Sequence, residues 1–187
     1  MEKVVLDACI LYPYTKRDAL LSIAAEGVYQ PLWSDEIHDE WSRNLRKNNP
    51  TVTKEKTDKT VQKMNDVFPQ ATITGHHHLI PALTLPDDGD RHVLALAIHT
   101  NSKLIVTENL KHFPSTILNP LNISAISTDT FLNQIYLKYN LLVITAIKTM
   151  RARLKNPPKS AEELLTMFKS NGLTNFASSL NSVKQSL

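Results

Sequence analysis

Glycine and cysteine are the scarce residues of this chain. Its four glycines (Gly27, Gly75, Gly89, Gly172) are scattered through 187 residues, with no two close together. That excludes a G-x-G-x-x-G turn and a Walker A loop, each of which needs several glycines within a short span. A single cysteine, Cys9, excludes an intramolecular disulfide framework and any cysteine-based zinc cluster. No apolar run approaches the roughly 20 residues that a membrane-spanning helix needs. The N-terminus, Met1-Glu2-Lys3-Val4-Val5-Leu6-Asp7, is too short and too acidic for a signal peptide. The expectation is a soluble, cytoplasmic protein with no membrane contact. What is present is apolar material for a real core: 42% of residues are hydrophobic and 21% charged, which argues against wholesale disorder. The net charge of +3 hides an asymmetry. Residues 1–108 carry 12 Lys/Arg against 15 Asp/Glu, and residues 109–187 carry 9 against 3.

Strands and helices alternate along the first two thirds. Lys3-Val4-Val5-Leu6-Asp7 reads as a short buried strand ending on a carboxylate, with Pro13 blocking extension. Asp18–Glu26 reads as a helix with Ala19, Leu20, Ile23 and Ala24 on one face and Gly27 as its cap. Residues 29–33 form an extended link or strand. Ser34 can then cap a helix from Asp35 to about Lys47. A further helix is expected at 53–67, a possible short strand at 71–74 within the proline-bearing stretch 69–87, and a helix capped by Asp87 or Asp88 that runs to Asn101. Lys103-Leu104-Ile105-Val106-Thr107 is the clearest strand, followed by a strand at 122–126 and a helix at 128–138. Beyond 141 the pattern is helical only, with Ser160-Ala161-Glu162-Glu163 as a capping box. The alternation predicts an α/β fold with a mostly parallel sheet over residues 1–126 and a helical region over 127–187.

Several acidic positions share one context. Asp7 ends the first strand, Asp90 starts the helix leading into Leu104–Val106, and Thr107-Glu108-Asn109 follows that strand. In open α/β sheets these strand ends face the crevice where ligands bind. Glu40 lies on the second helix, with Glu36 one turn earlier on the same face. Carboxylates forced together repel and are costly to bury bare, and a hard divalent cation such as Mg²⁺ or Mn²⁺ relieves both problems.

The residues also resemble a known family. Leu6-Asp7-Ala8-Cys9-Ile10-Leu11-Tyr12-Pro13 resembles the first motif of PIN-domain ribonucleases, and Trp33-Ser34-Asp35-Glu36-Ile37-His38-Asp39-Glu40, running into Arg43-Asn44-Leu45, resembles the second. Asp87-Asp88-Gly89-Asp90-Arg91-His92-Val93-Leu94-Ala95-Leu96-Ala97 resembles the third, and Ile105-Val106-Thr107-Glu108-Asn109-Leu110-Lys111-His112-Phe113-Pro114 the fourth. Residues 143–158 are similar to the C-terminal helical region of one subgroup of VapC-type toxins. The resemblance implies a PIN-like three-layer fold with a C-terminal helical extension. It also implies Mg²⁺- or Mn²⁺-dependent endonucleolytic cleavage of RNA by the toxin of a type II toxin–antitoxin pair. Asp7 and Asp90 would bind metal, Glu40 would bind metal or orient water, and Thr107 and Asn109 would hold the carboxylates or the scissile phosphate. The implied partners are RNA, a cognate antitoxin and a second copy of the chain. His112 stands where the family's fourth motif usually carries an aspartate. Glu108 is an alternative carboxylate, and His112 can itself act as a ligand or proton donor.

Plainer readings stand beside these. Asp7, Thr107 and Asn109 can be turn residues, Glu40 a solvated helix residue, Glu108 an exposed loop residue, and Asp87 and Asp88 helix caps. Cys9 reads as a small buried side chain, and a haloacid-dehalogenase-type phosphatase would need an aspartate in its place. His76-His77-His78 reads as an exposed loop tract with no acidic partner. The basic run Lys148, Arg151, Arg153, Lys155 and Lys159 can be a solvated helix face, a phosphate-contacting surface or a dock for an acidic peptide. Two other functions remain open: a catalytically weakened PIN-fold module that binds RNA or a partner, and a metal-dependent DNA nuclease of the same architecture.

Overall fold

The computed structural model describes residues 1–187. Four short strands, β1 (Lys3–Leu6), β2 (Gln30–Leu32), β3 (Leu104–Val106) and β4 (Ser124–Ile126), form one sheet in the order β2-β1-β3-β4, with every pair parallel. Val4, Val5 and Leu6 are consecutive and all fully buried. Both faces of β1 are therefore covered, which is why this strand is a continuous apolar run with no alternation. The helices are α1 (Ala8–Leu11), α2 (Tyr14–Ala25), α3 (Asp35–Asn48), α4 (Lys54–Val67), α5 (Arg91–Thr100), α6 (Ser115–Leu118), α7 (Thr128–Lys138), α8 (Asn140–Arg153), α9 (Ala161–Ser170) and α10 (Thr174–Asn181). This is the expected α/β architecture, a parallel sheet flanked by helices with further helices at the C-terminus. No helix is long and apolar enough to cross a membrane.

The chain divides into two compact units that are not contiguous in sequence. A sheet unit comprises Glu2–Tyr12 and Gln30–Ile126, and a helical unit comprises Met1, Pro13–Tyr29 and Ser127–Leu187.

In the sheet unit, α5 packs on β1 and β3, and α3 packs against α1 and α4. The Ser34 hydroxyl accepts from the Ile37 N–H (3.4 Å) and caps α3, leaving Ile37 and Trp41 on its buried face. Trp33 is also fully buried, its indole N–H shared between Asn65 Oδ1 (3.0 Å) and Thr72 Oγ1 (3.1 Å). Truncating Trp33 or Trp41 to alanine would cost about 3–5 kcal/mol. Residues 71–74 do not form the expected strand. They add only a single bridge, Trp33 to Thr72, beside β2.

In the helical unit, α2 packs against α8, and α10 against α7 and α9. Helix α2 begins at Tyr14, earlier than expected, because Pro13 takes the extended N-cap conformation (φ −73°, ψ 122°) where no N–H is needed. The Tyr29 hydroxyl donates to Leu20 O (2.8 Å), and its ring meets Phe131 edge to face at 4.9 Å. The Ser160–Glu163 capping box opens α9 as its sequence requires. Gly172 takes φ +78° beyond its end, a conformation that side chains with a Cβ resist.

Candidate functional site

The strand order creates the site. The chain leaves β1 toward β2 on one side and returns through β3 on the other, so β1 and β3 flank the point where the order reverses. In open α/β sheets, ligands bind at such a point, outside the carboxyl ends of the strands. Leu6 and Val106 are partners in register, so the next residues, Asp7 and Thr107, stand side by side.

Asp7 is almost fully buried. It caps α1, one oxygen accepting from the Ala8 N–H (2.6 Å). The other accepts from the Thr107 hydroxyl (2.6 Å) and the Cys9 thiol (3.1 Å). The Thr107 oxygen in turn accepts from the Asn109 N–H (3.0 Å), which fixes its hydrogen toward Asp7. Burial raises the Asp7 carboxyl above the usual carboxylate range. Its hydrogen bonds to Thr107 and Cys9 pull the other way, and the nearby Glu40 charge adds to the rise. Burial likewise pushes the Cys9 thiol up to about 12, with the Asp7 charge adding to it. Cys9 is therefore a protonated donor to Asp7, in keeping with its reading as no nucleophile.

Asp90 lies in the short turn of 3₁₀ helix, Asp88–Asp90, that leads into α5. Burial raises its carboxyl as well, a hydrogen bond from His112 opposes the rise, and the Asp7 charge reinforces it. Asp7 thus feels Glu40 and Asp90 feels Asp7, so the structure brings all three predicted carboxylates within electrostatic reach of one another. His112 Nδ1 sits 2.6 Å from Asp90 Oδ2 and 3.7 Å from Asp87 Oδ2. Asp87 does cap the turn, accepting from the Gly89 N–H (2.8 Å), but it also joins Asp90 and His112 in a group whose donor atoms lie within 4.8 Å of one another. Glu108 is exposed and outside this group, with its backbone N–H directed at Cys9 Sγ (3.3 Å).

An open cleft of about 470 Å³ lies over these groups, lined by Glu36, Asp39, Glu40, Arg43, Asn44, Asp87, Gly89, Asp90, His92, Asn109 and His112. Sequence reasoning gave no role to Arg43, Asn44 or His92. The first two were within reach of it, because Glu36, Glu40, Arg43 and Asn44 recur at the spacing of one helical face. His92 Nε2 lies 3.7 Å from Glu40 Oε2, a pairing between distant elements with no local signal.

The basic residues belong to the helical unit. Arg151 donates to the Lys159 carbonyl (3.0 Å), and Arg153 pairs with Asp18 (2.9 Å) and Ser22 Oγ (2.7 Å). Lys155 is exposed. Arg153 and Lys155 line a second open cavity of about 470 Å³ with Pro157, Lys159 and Met167.

The histidine tract corrects its sequence reading. His76 is fully buried, and both His76 and His77 approach Glu36, so the tract has the acidic partner it was expected to lack.

Comparison with known proteins fits this geometry. A PIN domain model matches residues 3–111. The chain belongs to the PIN domain family. A model of the VapC50 C-terminal domain matches residues 128–182, so this PIN protein also carries the C-terminal extension of a VapC-type toxin. A curated Mycobacterium tuberculosis protein named "Putative ribonuclease VapC50" is 47% identical over 58 residues, which is 31% of this chain and 34% of that protein. The match therefore spans about a third of that relative's length. No solved structure matches this PIN protein.

Proposed function

We propose that this PIN protein is an endoribonuclease that hydrolyses RNA phosphodiester bonds with Mg²⁺ or Mn²⁺, acting as the toxin of a toxin–antitoxin pair in the cytoplasm. One observation carries the reading. Asp7 and Asp90 are buried carboxyls raised by burial and by neighbouring carboxylates, an arrangement that is unfavourable for folding unless a cation compensates it. The donor set suits such a cation. Carboxylate oxygens favour Mg²⁺ or Mn²⁺, and the His112 imidazole beside them tilts the choice toward Mn²⁺. Asp7, Asp90 and Glu40 would hold the ion, with Asp87 and His112 at its margin. When bound, it would polarise a phosphoryl oxygen and acidify water. Thr107, locked by Asn109, sets the Asp7 rotamer, and His112 sets that of Asp90. Arg43 is the one arginine or lysine lining the cleft, and it suits bidentate contact with a phosphate.

We assign the nuclease to residues 1–126 and contact with RNA or antitoxin to the helical region 127–187, through Arg151, Arg153 and Lys155. Lys155, exposed at the end of this basic run, supports this assignment most directly. A homodimer is part of the same proposal. The test is cleavage of a mixed RNA pool with Mn²⁺ or Mg²⁺, with EDTA, and by Asp7→Asn with metal. Cleavage is expected only in the first arm, and equal cleavage in all three removes the metal–carboxylate mechanism. His112 favours a second reading, a non-cleaving RNA- or partner-binding module, because its ring occupies an Asp90 oxygen. Tight RNA binding with no cleavage at any metal concentration would favour that reading. Competition by single-stranded DNA separates a DNA nuclease from both.

A further inference from the structure

We propose that Glu36, His76 and His77 form a second metal site, selective for a transition ion of the Zn²⁺ class and separate from the carboxylate group around Asp90. Their ligand atoms lie within 4.8 Å of one another, against about 3.3 Å between ligand atoms around a tetrahedral Zn²⁺, so small side-chain rotations complete the site. His77 Nε2 contacts one Glu36 oxygen, and His76 Nε2 lies 4.0 Å from the other.

The independent pointer to a ligand is His76 itself. Its side chain is 0% exposed, and neither ring nitrogen has a hydrogen-bond partner. Buried polar nitrogens are normally satisfied, since leaving one bare costs about 1–3 kcal/mol. A cation between Nε2 and Glu36 satisfies one of them and neutralises the carboxylate. Gly75, at φ +85°, makes the turn that carries His76 inward, and the His99 ring lies against it.

Two imidazoles and one carboxylate are a donor set for Zn²⁺ and not for Mg²⁺. Glu36 stands in the first turn of α3, one turn before Glu40. An ion here ties that turn to the 76–77 segment and braces the helix that carries Glu40. The site does not depend on the nuclease reading.

The test uses the metal-free, full-length chain. Zn²⁺ is titrated calorimetrically, Co²⁺ is titrated by its visible absorption, and thermal unfolding is followed with and without Zn²⁺. Wild type and Asp90→Asn should each give a tetrahedral Co²⁺ spectrum and a Tm raised by Zn²⁺, whether or not the carboxylate group of wild type takes a further ion. Glu36→Gln and His77→Ala change side chains at the surface, so the fold should survive. Each should weaken Zn²⁺ binding by at least about tenfold and lose the Co²⁺ spectrum. Absence of the spectrum from wild type overturns the proposal, as does Zn²⁺ binding by Glu36→Gln and His77→Ala as tight as wild type. Loss of the Zn²⁺ signal with Asp90→Asn alone also overturns it, because the ion would then belong to the carboxylate group.

Discussion

Asp7 and Asp90 in the sheet unit are held quite differently from Asp18, Asp129 and Glu163 in the helical unit. The three in the helical unit are committed to structure. Asp129 accepts from the backbone N–H groups of Asn175 (3.0 Å) and Phe176 (2.9 Å) at the start of α10. Asp18 pairs with Arg153, and Glu163 completes a capping box. In the sheet unit, Asp7 accepts only from the neutral donors of Ala8, Thr107 and Cys9, Asp90 meets only an imidazole, and each carboxyl is raised chiefly by burial and further by another carboxylate. A carboxylate that donors or cations already saturate explains itself. Buried carboxyls that repel one another are left uncompensated, which is what motivates the proposed cation.

The sharpest way to break this contrast is to exchange single carboxylates between the two classes. Asp90→Asn should reduce RNA cleavage on the order of 10³-fold while leaving the Tm of the metal-free protein unchanged or higher. An equal loss of stability would move Asp90 into the structural class. Asp129→Ala should do the reverse, costing about 1–2 kcal/mol in denaturant unfolding while cleavage per folded molecule holds.

pH separates the classes by sign. Asp7 and Asp90 are held above the usual value near 3.8, so the folded chain keeps protons that the unfolded chain has released. Their contribution to stability is present in full below that value and is lost as pH rises through the raised one. The Tm in EDTA should therefore fall over this window, and less steeply in Asp90→Asn. A Tm that rises throughout the window would count against the raised carboxyls. The smallest effects belong to the basic helix end. Arg153→Ala should change stability by less than about 1 kcal/mol, since the pair with Asp18 is half exposed on the arginine side. Lys155→Ala should make the salt dependence of RNA binding shallower by about one unit of slope. An unchanged slope would take Lys155 out of RNA contact.

The contrast between the units also marks what could be read locally. Val4–Leu6 and Leu104–Val106 announced themselves as continuous apolar runs, and their polar C-terminal neighbours, Asp7 and Thr107, were legible as candidate site residues because parallel strands bring such ends together. Helix α3 was legible from Ser34 and its apolar spacing. The strand expected at 71–74 was not formed, since a short apolar pattern cannot say whether a partner edge will accept it over several residues. Asp18 was read as opening a helix, whereas Pro13 moves the start to Tyr14 and leaves Asp18 inside α2, bonded to Arg153.

By itself the sequence determined the α/β alternation and the helix caps, which rest on periodicity and near-neighbour chemistry, while its resemblance to PIN-domain motifs singled out Asp7, Glu40 and Asp90 as candidates. Only the tertiary structure decided that His112 bonds Asp90, that His92 faces Glu40, that Asp129 caps a helix 46 positions later, and that His76 is buried beside Glu36 with both ring nitrogens unpaired. These are encounters between residues far apart in the chain. Burial and partner choice, which set the charge and the use of each group, arise only when the elements pack.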